Sequence, residues 1–411
     1  ARLTLQRKGG RAAPLPPPGH ATADRRAVSI TLPARLADGD YTVVWFFLGN
    51  DGHLMGGEIP FSVGVPAAAA PASPGSPDTP RRAAGAVQSL GPGLAGPPAE
   101  IEPIELAAPP TDRARFTIAV AVPQAAVRLF DYAGLSVLIG GVFFLARVWG
   151  DGARDRRAIR LLWWALFVSA ASTLLAFGLT AAGLQGVGAL DALSPPVIGS
   201  VLGTRYSRIM TVRALCLGLG FVVLAVLTIG RDRAVRSRWW QGLALAAAGG
   251  VATTHALLGH VSNEGLVARG AVLVHVVGVA VWLGGLVFLA AVVLPRRRVE
   301  ELRALLPRFS SLAFTAVTAM VLAGGVMVLR LVPDVGDLPR TSYGRVLLLK
   351  LVFVGLLLVA AQQARLFTER RLVENSARLR PLVASVGVEL GLAALILTST
   401  AVLVGRVPPS G

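Results

Sequence analysis

The chain has 411 residues, of which 54% are hydrophobic and only 15% are charged, and its mean hydropathy is +0.63. Soluble domains contain roughly 45–50% apolar residues, so this composition excludes an ordinary soluble domain and favours an integral membrane protein. The net charge of +17 would indicate nucleic-acid binding in a soluble protein. Here the basic residues lie in short loops between apolar runs, so we expect no nucleic-acid partner. The single Cys216 excludes an intramolecular disulfide.

The first 64 residues contain three short runs typical of β-strands, at 28–32, 41–47 and 58–63, separated by Asp-Gly turn signals. They predict part of an all-β sandwich. The chain begins without an initiator Met or an apolar leader, so we expect a truncated start from which any secretion signal is absent. Residues 65–115 are dense in Ala, Pro and Gly, which predicts a disordered, flexible linker.

Residues 116–411 form the predicted transmembrane domain. It contains apolar runs of roughly 20 residues, the length at which a helix crosses the hydrocarbon core, and only helices satisfy the backbone of such segments in lipid. The predicted spans are 126–148, 160–183, 211–230, 240–260, 269–294, 309–331, 345–367 and 382–405. The predicted fold is therefore mainly α: a polytopic membrane helix bundle of about eight transmembrane helices, preceded by a partial β-sandwich and a flexible linker.

The arginines of the loops predict the orientation of the spans. The loops at 154–160, 231–238, 296–308 and 370–380 carry four or five arginines each. The loops and tail on the other side carry only Arg205, Arg208, Arg340 and Arg406. Cytoplasmic loops are enriched in Lys and Arg, so the arginine-rich loops are expected to be cytoplasmic. The β domain and both termini are then expected outside the cytoplasm.

Three histidines cluster near the outer ends of the fourth and fifth spans. His255 and His275 are each about ten residues from Gly265, so both are expected on the order of 10 Å below the outer surface. His260 lies nearer the mouth. Neutral imidazole is the commonest protein metal ligand, and a polar side chain in lipid is costly unless it is paired or faces a cavity. We expect a metal-ligand set, with simple interhelical hydrogen bonds as the alternative.

Other polar or soft side chains in the spans are weaker candidates. Met320 and Met327 lie seven residues apart on one helix face, and thioethers select Cu(I), although methionine also fills gaps in packed interiors. Glu389 in the last span has no charge near it in sequence, which indicates a neutral, paired or ion-handling carboxyl group. Asp131 and Arg213 lie near span ends, from where their side chains could snorkel, and we interpret both residues as structural.

Outside the spans, the segment Asp51-Gly52-His53-Leu54-Met55 forms a predicted turn between two strands. It brings a carboxylate, an imidazole and a thioether close together. Asp-Gly is itself a common hairpin turn, so the tripeptide alone indicates little about metal binding.

Several of these motifs resemble known families. The run from Leu36 to Trp45, with Asp51-Gly-His53 and the segment 57–63, looks like the C-terminal half of the periplasmic copper-binding CopC β-sandwich. The membrane part is similar to the copper resistance protein D (CopD) family. The matching segments are Gly259-His260, His275 to Trp282-Leu-Gly-Gly285, Arg308-Phe-Ser310, Tyr343-Gly344, Leu347 to Lys350, and Glu389. The resemblance spans most of residues 30–64 and 126–405.

The resemblance implies that copper ions, as Cu(I) or Cu(II), are what the protein binds. In that family a CopC domain, separate or fused ahead of CopD, is thought to bind Cu(II) and to act with a membrane component implicated in copper uptake. By resemblance, Asp51 and His53 match the DxH part of the CopC copper site. A further histidine of that site, and the first half of the sandwich, have no counterpart here. A periplasmic copper chaperone is an expected partner, and the cell inner membrane the expected location.

The leading hypothesis is copper transport. His260 receives the ion, His255 and His275 hold it within the membrane, and Met320, Met327 and Glu389 are candidate onward ligands. The sequence has no GxxxxGK[ST] motif, so no ATP site is expected, and we predict that the protein is not an enzyme.

Two alternatives remain open. Facing histidines at equal depth also suit bis-imidazole haem, which would make the chain a membrane redox protein. In the second alternative, the chain is a copper sensor or an assembly partner of another membrane complex, and it binds copper without transporting it.

Overall fold

The structure is a computed structural model that describes most of the chain. The described residues are 2–8, 12–15, 19–21, 24–29, 32, 36–49, 54–64, 111–259, 265–296, 298–331, 336, 338–371 and 379–405. The chain divides into a β unit, formed mostly by residues before 114, and a helical unit formed mostly by residues after it. The two units are described separately, and the predicted linker at 65–115 lies almost entirely outside the described residues.

The β unit contains a four-stranded sheet in the order β2-β1-β5-β6 and a two-stranded sheet of β3 and β4. The strands are β1 (Arg2–Arg7), β2 (Ala12–Pro14), β3 (Gly19–Ala21), β4 (Asp24–Ser29), β5 (Gly39–Leu48) and β6 (Leu54–Val63). Strand β1 pairs antiparallel with both β2 and β5. Alternate residues Leu3 and Leu5 of β1 pack with Tyr41 and Val43 of β5, which gives the sheet one apolar face.

The predicted strands at 41–47 and 58–63 are confirmed by β5 and β6. The run at 28–32 only overlaps the end of β4, which begins at Asp24 and ends at Ser29. Strand β1 was not predicted because its apolar alternation has only two members, Leu3 and Leu5. Its pairing with β5, more than thirty residues away in the sequence, is what buries them.

The helical unit has nine α-helices in its described residues. They are α1 (Thr111–Arg147), α2 (Arg156–Gln185), α3 (Pro195–Gly199), α4 (Arg205–Arg236), α5 (Arg238–Leu257), α6 (Leu266–Phe288), α7 (Val299–Leu331), α8 (Ser342–Arg371) and α9 (Leu379–Leu403). Within this described part, seven helices have the length and apolar composition needed to cross a membrane: α1, α2, α4, α6, α7, α8 and α9. The predicted membrane helix bundle is therefore confirmed.

Helix α5 occupies the position of the fourth predicted span and is long enough to cross a membrane, but it falls short of those seven in apolar composition. It has 20 residues and includes polar ones such as Gln241 and Thr254. Its two ends are tied to α4: the Trp240 indole N–H donates to the Val223 carbonyl at 2.9 Å, and Arg205 donates to the Leu257 carbonyl at 3.3 Å. Helix α5 thus runs antiparallel along α4 over its whole length, so we infer that it crosses the same depth as that span.

Helices α1 and α6 pack closely against each other at two glycines. A Cβ at Gly284 would collide with the Ser136 carbonyl oxygen, and a Cβ at Gly140 with the Ala280 carbonyl oxygen. Each helix therefore presents two small residues four positions apart, the pattern that lets membrane helices pack backbone to backbone. This contact joins the first span to the fifth.

The end of the bundle with the arginine-rich loops contains a cluster of ion pairs. Helix α6 continues into a π-helical turn, Leu289–Val293, and a 3-10 turn, Leu294–Arg296. The Arg296 guanidinium lies 3.1 Å from Asp155, 3.1 Å from Glu301, and 5.0 Å from the centre of the Trp149 ring. One side chain therefore connects the α1–α2 corner to the α6–α7 corner.

Candidate functional site

Arg213 is the centre of a buried polar network that joins four helices. Its Nη2 donates to both carboxylate oxygens of Asp131 on α1, at 2.6 and 2.7 Å. Its Nε donates to the Thr173 hydroxyl of α2 at 3.0 Å. Its Nη1 lies 3.3 Å from the Thr254 hydroxyl and 2.9 Å from Nε2 of His255, both on α5. All three guanidinium nitrogens are thus engaged within the protein.

The same network determines the hydrogen-bonding state of His255. A guanidinium has only donors, so Nε2 of His255 accepts from Arg213 and, in the neutral ring, Nδ1 carries the proton. The nearest Asp131 oxygen lies 3.8 Å from this Nε2. The ring is flanked by Tyr132, with the ring centres 5.7 Å apart. The lone pair that would bind a metal is therefore occupied by Arg213 in this arrangement.

Asp131 and Arg213 do not snorkel to the membrane surface, as their positions near span ends had suggested they could. Their side chains are only 12% and 3% exposed, respectively, and they neutralise each other inside the bundle. The contact between these opposite charges on the first and third spans was not predictable from the sequence, because the two residues are 82 positions apart. The sequence did contain one indication of this pair, since an acidic residue lies within one apolar run and a basic residue within another.

His275 lies in a different environment, between α6 and α7. Its Nδ1 lies 2.9 Å from the backbone carbonyl oxygen of Met320. Because a carbonyl only accepts, Nδ1 must donate, and in the neutral ring the lone pair is on Nε2. In the described part of the chain no hydrogen bond engages Nε2. A backbone carbonyl that holds the far nitrogen of a histidine is the usual second partner of a metal ligand.

The surroundings of His275 accommodate the ring. A Cβ at Gly324 would lie 3.4 Å from Nδ1, so the glycine leaves room for the imidazole against α7. The neighbouring Gly278 packs against Met320 and the Ala316 carbonyl oxygen.

The remaining predicted site residues are spread over the chain. Met320 is buried on α7, and Met327 is half-buried further along the same helix. Glu389 is buried in α9. Asp51, His53 and His260 lie outside the described residues, so the predicted DxH site and the mouth of the predicted pathway stay predictions.

The described residues contain no group of three or more His, Cys, Asp and Glu side chains arranged to hold a metal ion. The two described histidines of the spans bond to different helices, His255 to α4 and His275 to α7. Among the described residues, no contact joins these two rings in one site, so their predicted cooperation stays a prediction. The equal depth of the two rings, which their spacing from Gly265 predicts, stays a prediction. The direction of each ring depends on helix rotation, which spacing does not determine.

A bundle of this kind, with ionisable and imidazole groups buried at helix contacts, defines a multi-pass membrane protein with polar sites inside its spans. Family models match three parts of the chain: "Copper resistance protein D" over residues 303–403, "Copper resistance protein D-like, N-terminal domain" over 119–271, and "CopC domain" over 1–64. The chain therefore belongs to the copper resistance protein D family and has a CopC domain at its N-terminal end.

These families imply a role in copper resistance or copper uptake and support copper and lipid as partners of the chain. They are copper-handling proteins of the membrane and periplasm. Comparison with curated proteins and with solved structures gave no match.

Proposed function

We propose that the protein binds copper ions inside the cell inner membrane and carries them across it. The family assignment supports copper as the substrate, and the helical bundle supports a location in the membrane. The arginine-rich loops support an orientation in which the β domain and both termini are outside the cytoplasm. The CopC domain, or a periplasmic copper chaperone, would then deliver copper on the side where His260 is predicted to lie.

The observation that carries this proposal is the orientation of His275. Its Nδ1 is held by the Met320 carbonyl, which leaves Nε2 as the metal-binding atom of an imidazole inside a span. An imidazole in lipid is costly without a partner for its polar atoms, and a passing copper ion supplies one. Met327 lies about two turns from Met320 on the same helix and offers a thioether for Cu(I).

His255 contributes in a different way. Its Nε2 accepts from Arg213 and cannot bind copper while that hydrogen bond persists. A permanent guanidinium charge at 2.9 Å also disfavours a cation at this nitrogen. We therefore propose that His275 is the principal membrane ligand and that His255 holds α5 in place. The haem alternative requires both Nε2 atoms, and the His255–Arg213 hydrogen bond weighs against it.

The test is to replace His275 with Asn in the full chain and to measure copper flux into reconstituted vesicles. The amide N–H of Asn can replace the Nδ1–H donor to Met320, but Asn offers no Nε2. We expect copper flux to fall roughly ten-fold or more, by analogy with the cost of disturbing a metal site. Val274→Ala is the matched control, since this neighbour on α6 is 47% exposed and should leave flux unchanged.

The alternatives give different results in the same preparation. Unchanged flux in the His275→Asn variant, at normal protein levels, would rule out the proposed ligand. Copper binding without flux in the unaltered protein would favour a sensor or assembly role. A Soret band in the visible spectrum of the purified protein would favour haem.

A further inference from the structure

Helix α2 has an exposed face in the half of the bundle nearest the arginine-rich loops. Arg157, Arg160, Trp164, Phe167 and Leu174 lie on this face, because they follow one another at helical spacing. All five side chains are exposed. The Trp164 and Phe167 side chains are 64% and 62% exposed, and their ring centres lie 5.8 Å apart. We call these five residues the α2 stripe.

The α2 stripe extends over about half the thickness of a membrane. One turn beyond Leu174, a Cβ at Gly178 would lie 2.6 Å from the Ala192 carbonyl oxygen and 2.9 Å from the Leu193 side chain. The segment between α2 and α3 therefore covers this face from Gly178 onward. About 21 Å of helix separates Arg160 from Leu174. A bilayer with its headgroups is about 40–45 Å thick, so the stripe has the length of one phospholipid in one leaflet.

The two arginines of the stripe have no acidic partner among the residues that the structure describes. The Arg160 Nε donates to the Arg156 carbonyl oxygen at 3.3 Å, and no ion pair joins Arg157 or Arg160 to a described carboxylate. The described carboxylates at the neighbouring corners pair with other arginines: Asp151 with Arg236, Asp155 with Arg296, and Asp232 with Arg154. Guanidinium groups match the geometry of phosphate, so an anion from outside the chain would suit Arg157 and Arg160.

We propose that the α2 stripe binds one anionic phospholipid of the leaflet at this end of the bundle. Its phosphate lies against Arg157 and Arg160, and an acyl chain lies along Trp164, Phe167 and Leu174. Basic side chains at a membrane surface attract anionic lipids, and indole rings favour the depth of the headgroups. The inference concerns the lipid alone and does not depend on copper transport.

The charges of the stripe favour a lipid over a second copy of the chain. Two copies in one membrane that met through this face would form a two-fold dimer with the same residues on both sides. Arg157 and Arg160 would then face their own counterparts, and such a contact between like charges is unfavourable. A lipid phosphate brings the opposite charge, and its acyl chain fits the apolar part of the stripe.

The first experiment measures the lipid preference of the full chain in vesicles by tryptophan fluorescence. Quenching by phosphatidylglycerol with brominated acyl chains is compared with quenching by brominated phosphatidylcholine. We expect the unaltered protein to prefer the anionic lipid. The Arg157→Gln/Arg160→Gln variant should lose this preference by roughly ten- to thirty-fold, the factor expected for two basic residues at a membrane surface. Trp164→Phe should remove the part of the quenching that depends on the anionic lipid.

The matched control is the Arg233→Gln/Arg303→Gln variant. It removes two exposed arginines at the same end of the bundle but outside the α2 stripe, so the change in net charge is identical. This control should keep the preference for phosphatidylglycerol. Equal loss in both double variants would show that the surplus charge of this end, and not the stripe, attracts the lipid, and it would overturn the site. An unchanged preference in the Arg157→Gln/Arg160→Gln variant would also overturn it.

Two further measurements test other occupants of the stripe. Inorganic phosphate, compared with chloride at equal ionic strength, should leave the quenching unchanged because it has no acyl chain. Displacement of the lipid by phosphate alone would overturn the lipid site in favour of a phosphate site. A Cys216→Ala/Phe167→Cys variant should resist cross-linking between copies by a short bis-maleimide. Efficient cross-linking would overturn the lipid site in favour of a second copy of the chain.

Discussion

The ion pair between Asp131 and Arg213 is the structural feature whose removal should cost the most stability. The change we consider is Asp131→Asn, which keeps the size of the side chain and removes its charge. Arg213 then remains inside the bundle with no counter-ion. The guanidinium cannot lose its proton, so the variant has to accommodate a buried cation.

The expected cost follows from the burial of the pair. The two side chains are 12% and 3% exposed and make two charge-assisted hydrogen bonds of 2.6 and 2.7 Å. Removal of one partner from a buried pair costs about 3–5 kcal/mol. The reverse change, Arg213→Gln, should cost less because Asp131 can take up a proton and become neutral. The double variant should cost less than the sum of the two single changes.

The assay is unfolding in a graded series of SDS and mild-detergent mixtures, with the free energy of unfolding compared between variants. The matched control is Arg154→Gln, which removes a pair with Asp232 that also has two hydrogen bonds, of 3.0 and 2.8 Å, but whose arginine side chain is 62% exposed. This control should cost only about 0.2–1 kcal/mol. If Asp131→Asn and Arg154→Gln cost the same, the buried charge described here does not exist in the folded protein.

Two further predictions concern packing and pH. Gly284→Ala should destabilise the bundle by about 1–3 kcal/mol because the new methyl group meets the backbone of α1, whereas Gly249→Ala, with open space around it, should be neutral or slightly stabilising in the same assay. In the β unit, the Ser62 hydroxyl and the Lys8 ammonium lower the pKa of Asp40 below its ordinary value of 3.8. The folded state therefore gains stability above pH 3.8, and this stability is lost as the pH falls through the lower pKa of the folded state. NMR titration of labelled aspartate should show that Ser62→Ala raises the pKa of Asp40. An unchanged pKa in this variant would contradict the role assigned to Ser62.

Much of the helical unit was predictable because membrane spans are limited by length and apolarity. All eight predicted spans correspond to helices, and the least apolar, α5, is the one that carries Thr254 and His255. The β unit was harder, since β1 depends on a partner strand far away in sequence. The family resemblance rested on short polar motifs inside the spans, and the matches to the CopD and CopC models confirm it.

The sequence indicated which types of residue lie at the candidate site. The hydrogen-bond partners of those residues were harder to predict. Spacing from Gly265 indicated that His255 and His275 share a depth, but helix rotation sends one ring to Arg213 and the other to the Met320 carbonyl. The rotation of each helix about its axis depends on where small residues, such as Gly278 of α6 and Gly324 of α7, let two helices approach each other. Such contacts are set by the whole bundle and have no local sequence signature.

The π-helical turn after α6 has a consequence for the corner beyond it. A π-type turn holds one residue more than an α-helical turn, so everything after it is rotated by roughly 100° relative to a continuous helix. That rotation, together with the 3-10 turn that contains Arg296, sets the direction in which this side chain leaves the helix towards Asp155 and Trp149. The link at this end thus depends on the backbone path of these two turns, and a one-residue deletion in the π-helical turn would change the direction of the guanidinium without changing any residue that it contacts.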